Sequence, residues 1–305
     1  MVFDVVGIGN PVYDIIITPV IKTDGRVLSG CSTNACLALK KLGMQKVGLI
    51  GSIGKDYSKR FLLDMKHYGI ETSLSATSVH TGGFRLVYDH KGDRTLEVLG
   101  VADKIVPESI PEEFLDSRFF LIGPILGEVD VELIKFIRGS TTTAKIFLDP
   151  QGLIRSIGSD GKITHVCNRD EFKSIVELVD FVKPNEVESE TITGQKDPVL
   201  AVEWLRALGV KVPIVTLADR GSILLDSDRI YHIPAFHTDA IDPTGAGDTY
   251  AGSFIVEYDR TGSNLEAALF ASAAASIMVE QVGPEFRMTE QEAMKRKNAI
   301  RGLLK

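Results

Sequence analysis

Short apolar runs separated by longer amphipathic stretches dominate this chain. Phe3 to Val6, Lys46 to Ile50, Phe119 to Ile122, Ile146 to Leu148, Phe181 to Lys183 and Ile214 to Thr216 have the length and composition of buried strands. Helical patterns lie between them, such as Val199, Val202, Leu205 and Leu208. Strand and helix in alternation predict an α/β fold with a mainly parallel central sheet covered by helices on both faces. The first hundred residues add antiparallel material. Ile15 to Leu28 reads as a hairpin turning at Lys22 to Gly25, and Gly83 to Tyr88 with Arg94 to Val98 as another around His90-Lys91-Gly92-Asp93. These segments, about 12–30 and 81–100, are too small to fold alone. They are expected to form a small β lid on a single domain spanning 1–305.

Helix ends are marked too. Asn34 precedes an apolar pattern that closes on Gly43, and a second helix closes on Gly69. Ala267 to Met278 falls short of the roughly 20 apolar residues of a membrane span and is alanine-rich, which predicts a tightly packed core helix. The opening MVFDVVGIGN enters a strand directly, so no signal peptide is expected. Cys31, Cys36 and Cys167 lack the spacing of a zinc site or a redox pair and read as reduced thiols of a cytoplasmic protein. The formal net charge of -7 argues against nucleic acid or an anionic membrane as partner. An anionic small ligand then needs local neutralisation.

Two apparent phosphate loops fail on their own residues. Gly7-x-Gly9 has Val12 at the third glycine position and Pro11 against a helix start; Gly54-Lys55 has Leu49 and Asp56 where a P-loop needs glycine and a hydroxyl. The stretch Ala240 to Phe254, AIDPTGAGDTYAGSF, is different. Gly245 and Gly247 leave backbone N–H groups free to face one point, and a helix from Thr249 to Tyr258 would add its positive end. Such a site attracts an anion, so Asp248 beside it is either a helix cap or a group that takes a proton from an attacking hydroxyl. At the carboxyl ends of the predicted strands stand Asp14, Asp149, Asn185, Thr216 and the Gly245 turn, where parallel sheets bind ligands. Asn185 and Glu188, one helical turn apart, suit either a capped helix start or a hydrated magnesium ion.

Taken in order, these residues resemble the ribokinase-like (PfkB) carbohydrate kinases over about Asp4 to Gly283. The family's D-T-x-G-A-G-D run is matched by Asp242 to Asp248, with Pro243 as a departure, and its G-G-x-x-x-N-x-A run by Ser29 to Cys36, with Ser29 and Cys36 as departures. Its N-x-x-E is Asn185 to Glu188, and its T-x-G-x-x-G is Thr216 to Gly221, with Ala218 for glycine. The resemblance implies a ribokinase-like three-layer fold and a kinase using ATP and magnesium. Asp248 would be the base, and Gly245, Ala246 and Gly247 the anion hole. Asn185 and Glu188 would organise magnesium through water; Thr216, Ala218 and Gly221 would follow the nucleotide. Asp14, Gly30 and Asn34 would hold substrate hydroxyls, and Asp242 matches a position that can serve a monovalent cation such as potassium.

For the acceptor, Asp149-Pro150-Gln151-Gly152-Leu153-Ile154-Arg155 resembles the D-x-Q-G-F-x-R run of archaeal myo-inositol kinases, which makes Gln151 and Arg155 substrate candidates. Many family members carry D-P-N-x-R here, so shape alone is the competing reading. Arg85 is a candidate phosphate contact or an ordinary strand arginine. A sugar or cyclic polyol is the first expectation. A nucleoside is the alternative, with Tyr13, Phe84 and Tyr88 as a possible base platform, and a non-catalytic sugar-binding relative is the third. The partner is thus a small molecule; the chain itself reads as a monomer or as a homodimer through the lid hairpin IIITPVI.

Overall fold

The computed structural model describes residues 2–89, 94–159 and 161–304, so the turn expected at 90–93 lies outside the described residues. The strands are β1 (Phe3–Ile8), β2 (Val12–Ile17), β3 (Val27–Ser29), β4 (Val47–Gly54), β5 (Glu71–Ser78), β6 (Gly83–Tyr88), β7 (Arg94–Gly100), β8 (Ser117–Ile122), β9 (Lys145–Leu148), β10 (Arg155–Ile157), β11 (Ile163–His165), β12 (Phe181–Val182), β13 (Val212–Thr216), β14 (Ser222–Asp226) and β15 (Arg229–Ile233). The helices are α1 (Cys31–Lys41), α2 (Ser58–Tyr68), α3 (Glu112–Leu115), α4 (Val131–Ser140), α5 (Arg169–Val176), α6 (Glu186–Thr193), α7 (Pro198–Leu208), α8 (Ala246–Thr261), α9 (Asn264–Met278) and α10 (Glu290–Arg301).

One sheet runs β15-β14-β13-β12-β9-β8-β1-β4-β5. From β5 to β13 neighbouring strands are parallel, and β14 and β15 continue it antiparallel. Alternate side chains leave each strand on opposite faces. On β8, Phe119 and Leu121 enter a core with α1, α2, α8, α9 and α10, while Phe120 and Ile122 enter one with α4, α5 and α7. This is the three-layer arrangement the alternation predicts. The alanine-rich segment is the buried heart of α9. No helix among the described residues is long and apolar enough to cross a membrane.

A second, four-stranded sheet, β3-β2-β6-β7, fits a lid. It is mixed, not purely antiparallel, because β2 and β6 pair in parallel. The β2–β3 connection also differs from the expected hairpin. It reverses at Thr18 to Ile21, where Thr18 N–H donates to Ile21 O at 2.8 Å and Pro19 suits the turn, and Lys22 already pairs back with Ile17. The sequence pattern did not show the β10–β11 hairpin, which adds an isolated bridge from Lys162 to Glu97 on β7.

Candidate active site

The glycine turn begins a helix earlier than expected. Gly245, at φ 86 and ψ 2, takes the third position of a turn closed by Ala246 N–H donating to Pro243 O at 3.2 Å, a geometry that needs glycine. Helix α8 therefore starts at Ala246 and not at Thr249, so Asp248 lies in its first turn and is not its cap. The N–H groups of Gly245, Gly247 and Asp248 find no acceptor among the described residues, whereas that of Ala246 is engaged by Pro243. The free donors of the turn thus differ by one from the expected set.

Asp248 Oδ2 accepts a hydrogen bond from Asn34 Nδ2 at 2.8 Å. Two local features bring these residues together. Helix α1 starts at Cys31, capped by Gly30 (φ 118), which puts Asn34 inside the helix and not before it. One turn beyond Asp248, Gly252 lets α8 approach α1 so closely that a Cβ there would lie 2.6 Å from Ala35 O. Asn34 thus supports the carboxylate, in addition to any substrate contact.

Asp149, at the end of β9, comes next to Asp248. Its carboxylate, that of Asp248 and the Cys31 thiol lie within 4.8 Å of one another. Burial, then the charge of Asp149, push Asp248 above the usual carboxylate range, opposed by hydrogen bonds from Asn34 and Cys31. Burial and the same two carboxylates hold the Cys31 thiol protonated. Asp149 is itself paired with Lys183 at 2.8 Å, both nearly inaccessible. Burial alone would favour neutral Lys183; attraction to Asp149 and Glu188 reverses this and keeps it charged. A Cβ on Gly247 would lie 3.3 Å from Lys183 Nζ, so the ammonium borders the glycine turn. Sequence reading gave Lys183 no role, yet a lysine closing a buried strand was a signal, since such a charge needs a partner.

Asn185 and Glu188 form a capping box at α6, with each side chain accepting the other's N–H at 2.9 Å. The capped helix start is thus what the structure shows of this pair, and Glu188 is in addition buried and pushed up by burial and by Asp149. Two carboxylates so placed form an oxygen donor set that a divalent cation would relieve. Thr216 joins this helix start through a bridge to Asn185, with its N–H donating to Pro184 O at 3.1 Å. The loop after it folds tightly: Leu217 N–H donates to Gly221 O at 2.7 Å, and Ala218 adopts φ 51. Arg220 of the loop pairs with Glu186 of α6. Below the glycine turn, Asp242 is fully buried and pushed up by that burial; its Oδ1 accepts from Thr244 N–H at 2.9 Å. Its Oδ2 has no well-formed hydrogen bond among the described residues, the Gly283 N–H acting on the carboxylate only weakly, and a small cation would satisfy it.

The residues expected at the acceptor come partly from the lid sheet. Asp14 lies on β2 of the lid sheet and not on a strand of the main sheet, because β1 ends at Ile8 and Pro11 starts a new direction. It accepts from Phe84 N–H at 2.7 Å, and burial pushes it up to about 6 against hydrogen bonds from Phe84 and Ser29. Gln151 Oε1 accepts from Arg155, which also donates to Ile125 O at 3.2 Å and stands 5.8 Å over the Phe84 ring. That oxygen is therefore engaged, and the Gln151 amide N–H groups are turned to the Cys31 side of the site. Three sequence candidates take other places. Tyr13 is no base platform: it is fully buried, stacked 4.4 Å from Tyr57 and bonded to Asp64. Arg85 points out to Glu97 at 3.6 Å. Tyr88 is covered and bonded to Thr244.

Residues 128–291 match the model of the pfkB family carbohydrate kinases. The chain is 30% identical to a cytidine kinase of Thermococcus kodakarensis over 84% of its own length and 89% of that protein's. It is 27% identical to an inositol 3-kinase of Arabidopsis thaliana, over 81% of this chain and 66% of the other. Its fold matches that of a pyrophosphate-dependent kinase in the ribokinase family with a TM-score of 0.82, at 21% identity over 96% of this chain and 99% of the other. An aspartate set against free N–H groups on a glycine turn, on this fold and in this company, has one assignment: the chain belongs to the pfkB family of carbohydrate kinases, enzymes that phosphorylate a hydroxyl group.

Proposed function

We propose that the protein transfers the γ-phosphoryl group of ATP to a hydroxyl of a sugar or cyclic polyol. The observation that carries this reading is the meeting of Asp248, the free N–H groups of Gly245 and Gly247, and Lys183 at one turn. In the transfer, the acceptor oxygen forms a bond to phosphorus as the bond to the leaving ADP oxygen breaks. The acceptor proton passes to Asp248, whose raised affinity for protons suits that task. Asn34 fixes the carboxylate. The N–H groups and Lys183 face the negative charge on the moving group, and in a loose transition state such placement matters more than base strength. Thr216, Ala218 and Gly221 would follow the nucleotide. Asn185 and Glu188, with Asp149 nearby, would hold magnesium through water, and the ion would supply charge neutralisation on the donor phosphates. The orphaned Asp242 Oδ2 supports a monovalent cation beneath the turn. ATP as donor also implies a cytoplasmic protein.

Asp14, Gly30, Gln151 and Arg155 would bind acceptor hydroxyls, a polar set fit for a sugar or polyol. The likeness to a cytidine kinase favours a second reading, with Phe84 as the aromatic wall for a base. A phosphoryl-transfer screen over pentoses, hexoses, inositols and nucleosides decides between them, run with ATP and separately with pyrophosphate. Fastest turnover on a sugar or inositol with ATP is expected. Preference for a nucleoside overturns the acceptor assignment, and turnover only with pyrophosphate overturns the donor.

A further inference from the structure

The lid carries two arginines whose surroundings differ. Arg85 on β6 has a carboxylate of its own, Glu97. Arg94, at the start of β7, has none within ion-pair distance among the described residues. Its Nη1 instead donates to Tyr88 OH at 3.2 Å. The same phenol oxygen accepts from Thr244 Oγ1 at 3.0 Å, and Thr244 is the residue before Gly245. A chain of two hydrogen bonds thus runs from the guanidinium to the glycine turn, joining the lid sheet to the start of α8.

The charges around Arg94 point the same way. Its side chain is exposed, and the Tyr88 phenol first, then Glu188 and Asp248, favour its charged form, while its charge acts against that of Arg155. An exposed guanidinium held at one nitrogen by Tyr88, within electrostatic reach of two site carboxylates and ion-paired with neither, keeps its remaining planar donors available for an anion.

Resting on the kinase reading above, we propose that Arg94 is a lid-borne contact for the transferring phosphoryl group. Closing the lid through Tyr88 and Thr244 sets its guanidinium at the glycine turn, so that lid closure and charge stabilisation become one event. A phosphoryl group bound under an open lid would then lack this cation, which protects the donor from transfer to water.

The test compares wild type with Arg94→Ala, Arg94→Lys and Tyr88→Phe, using the acceptor that turns over fastest in the screen. Arg94→Ala is expected to lower kcat about 100-fold, the usual loss for one charge-stabilising donor. KM for ATP and acceptor should stay within about threefold, the pattern of an interaction made in the transition state. Added guanidinium ion should restore part of the activity, Arg94→Lys should fall between, and Tyr88→Phe should lose about tenfold or less. ADP with magnesium and aluminium fluoride, a mimic of the transferring group, should bind Arg94→Ala more weakly while ADP alone binds as to wild type. A kcat of Arg94→Ala within about threefold of wild type, or a loss that guanidinium leaves untouched and that appears equally in ADP binding, overturns the proposal. Absence of any turnover in wild type overturns instead the kinase reading on which it rests.

Discussion

Helix α8 carries an acidic cluster at each end with a buried carboxylate in it, and the two are wired differently. At its C-terminal end Glu257, almost wholly inaccessible, meets Lys297 and Arg260 together. Lys297 also reaches Glu266 at 2.7 Å, which Arg301 joins, and Arg260 reaches Glu290. Burial works against the Glu266 carboxylate, yet hydrogen bonds from Lys297 and Arg301 hold it below its ordinary range. At the N-terminal end Asp248, Asp149 and Glu188 lie close together, and among the described residues the one cation ion-paired with them is Lys183 on Asp149. Burial and like charge push Asp248 and Glu188 up. The same helix therefore separates two uses of buried charge. Contacts that saturate every carboxylate hold α8, α9 and α10 together; contacts left incomplete keep protons and charge available to a ligand.

The comparison breaks most sharply at Asp248. Asp248→Asn should lower kcat by about 10⁴-fold, at the upper end for removal of a general base, while ATP binding and thermal stability stay near wild type. Calorimetric titration with ATP beside a turnover assay checks this, and retained turnover removes Asp248 from its role. Lys183→Met should affect both properties. Losing the cation at the glycine turn should reduce kcat by about 100-fold, and the unpaired buried Asp149 should cost about 3 kcal/mol in urea unfolding. At the other end, Glu257→Gln should cost about 3 kcal/mol of stability, with Lys297 still held by Glu266, and leave kcat unchanged. A change in kcat there would mean that the two ends communicate.

The smallest effect concerns pH. Unfolded Asp14 loses its proton near 3.8, but folded Asp14 only near 6, so the unfolded state is ionised first. Its burial therefore lowers stability progressively between these values, fully above the upper one, and not at all below the lower one. Asp14→Asn should raise the melting temperature by a few degrees at pH 7 to 8, with the gain vanishing below pH 4, while acceptor KM rises. Melting curves across that range and acceptor kinetics test both halves.

Much of this architecture was legible along the chain, for reasons that differ by region. The buried parallel strands announce themselves because both faces are covered, which leaves continuous apolar runs such as Phe119 to Ile122. The glycine turn is legible because backbone geometry there demands glycine at Gly245. Asp14 was legible as a lid residue after the first strand, but not its partner: the Phe84 N–H it accepts from, on β6, lies seventy residues away in sequence. Arg94 and Lys183 were missed for a related reason: their roles come from Tyr88, Thr244 and Asp149, partners set by tertiary packing and invisible to periodicity. The start of α8 was read too late because a glycine cap leaves no side-chain signal of the kind Asp130 or Thr289 gives elsewhere.

The contact of Gly252 with the Ala35 carbonyl works as a gauge. Asn34 neighbours Ala35 and Asp248 precedes Gly252 by one turn, so the thickness of a single hydrogen atom fixes the spacing between the amide and the carboxylate it steadies. Wear at that point, from any larger side chain, would not empty the site of a single functional group. It would leave every part present and the machine out of calibration.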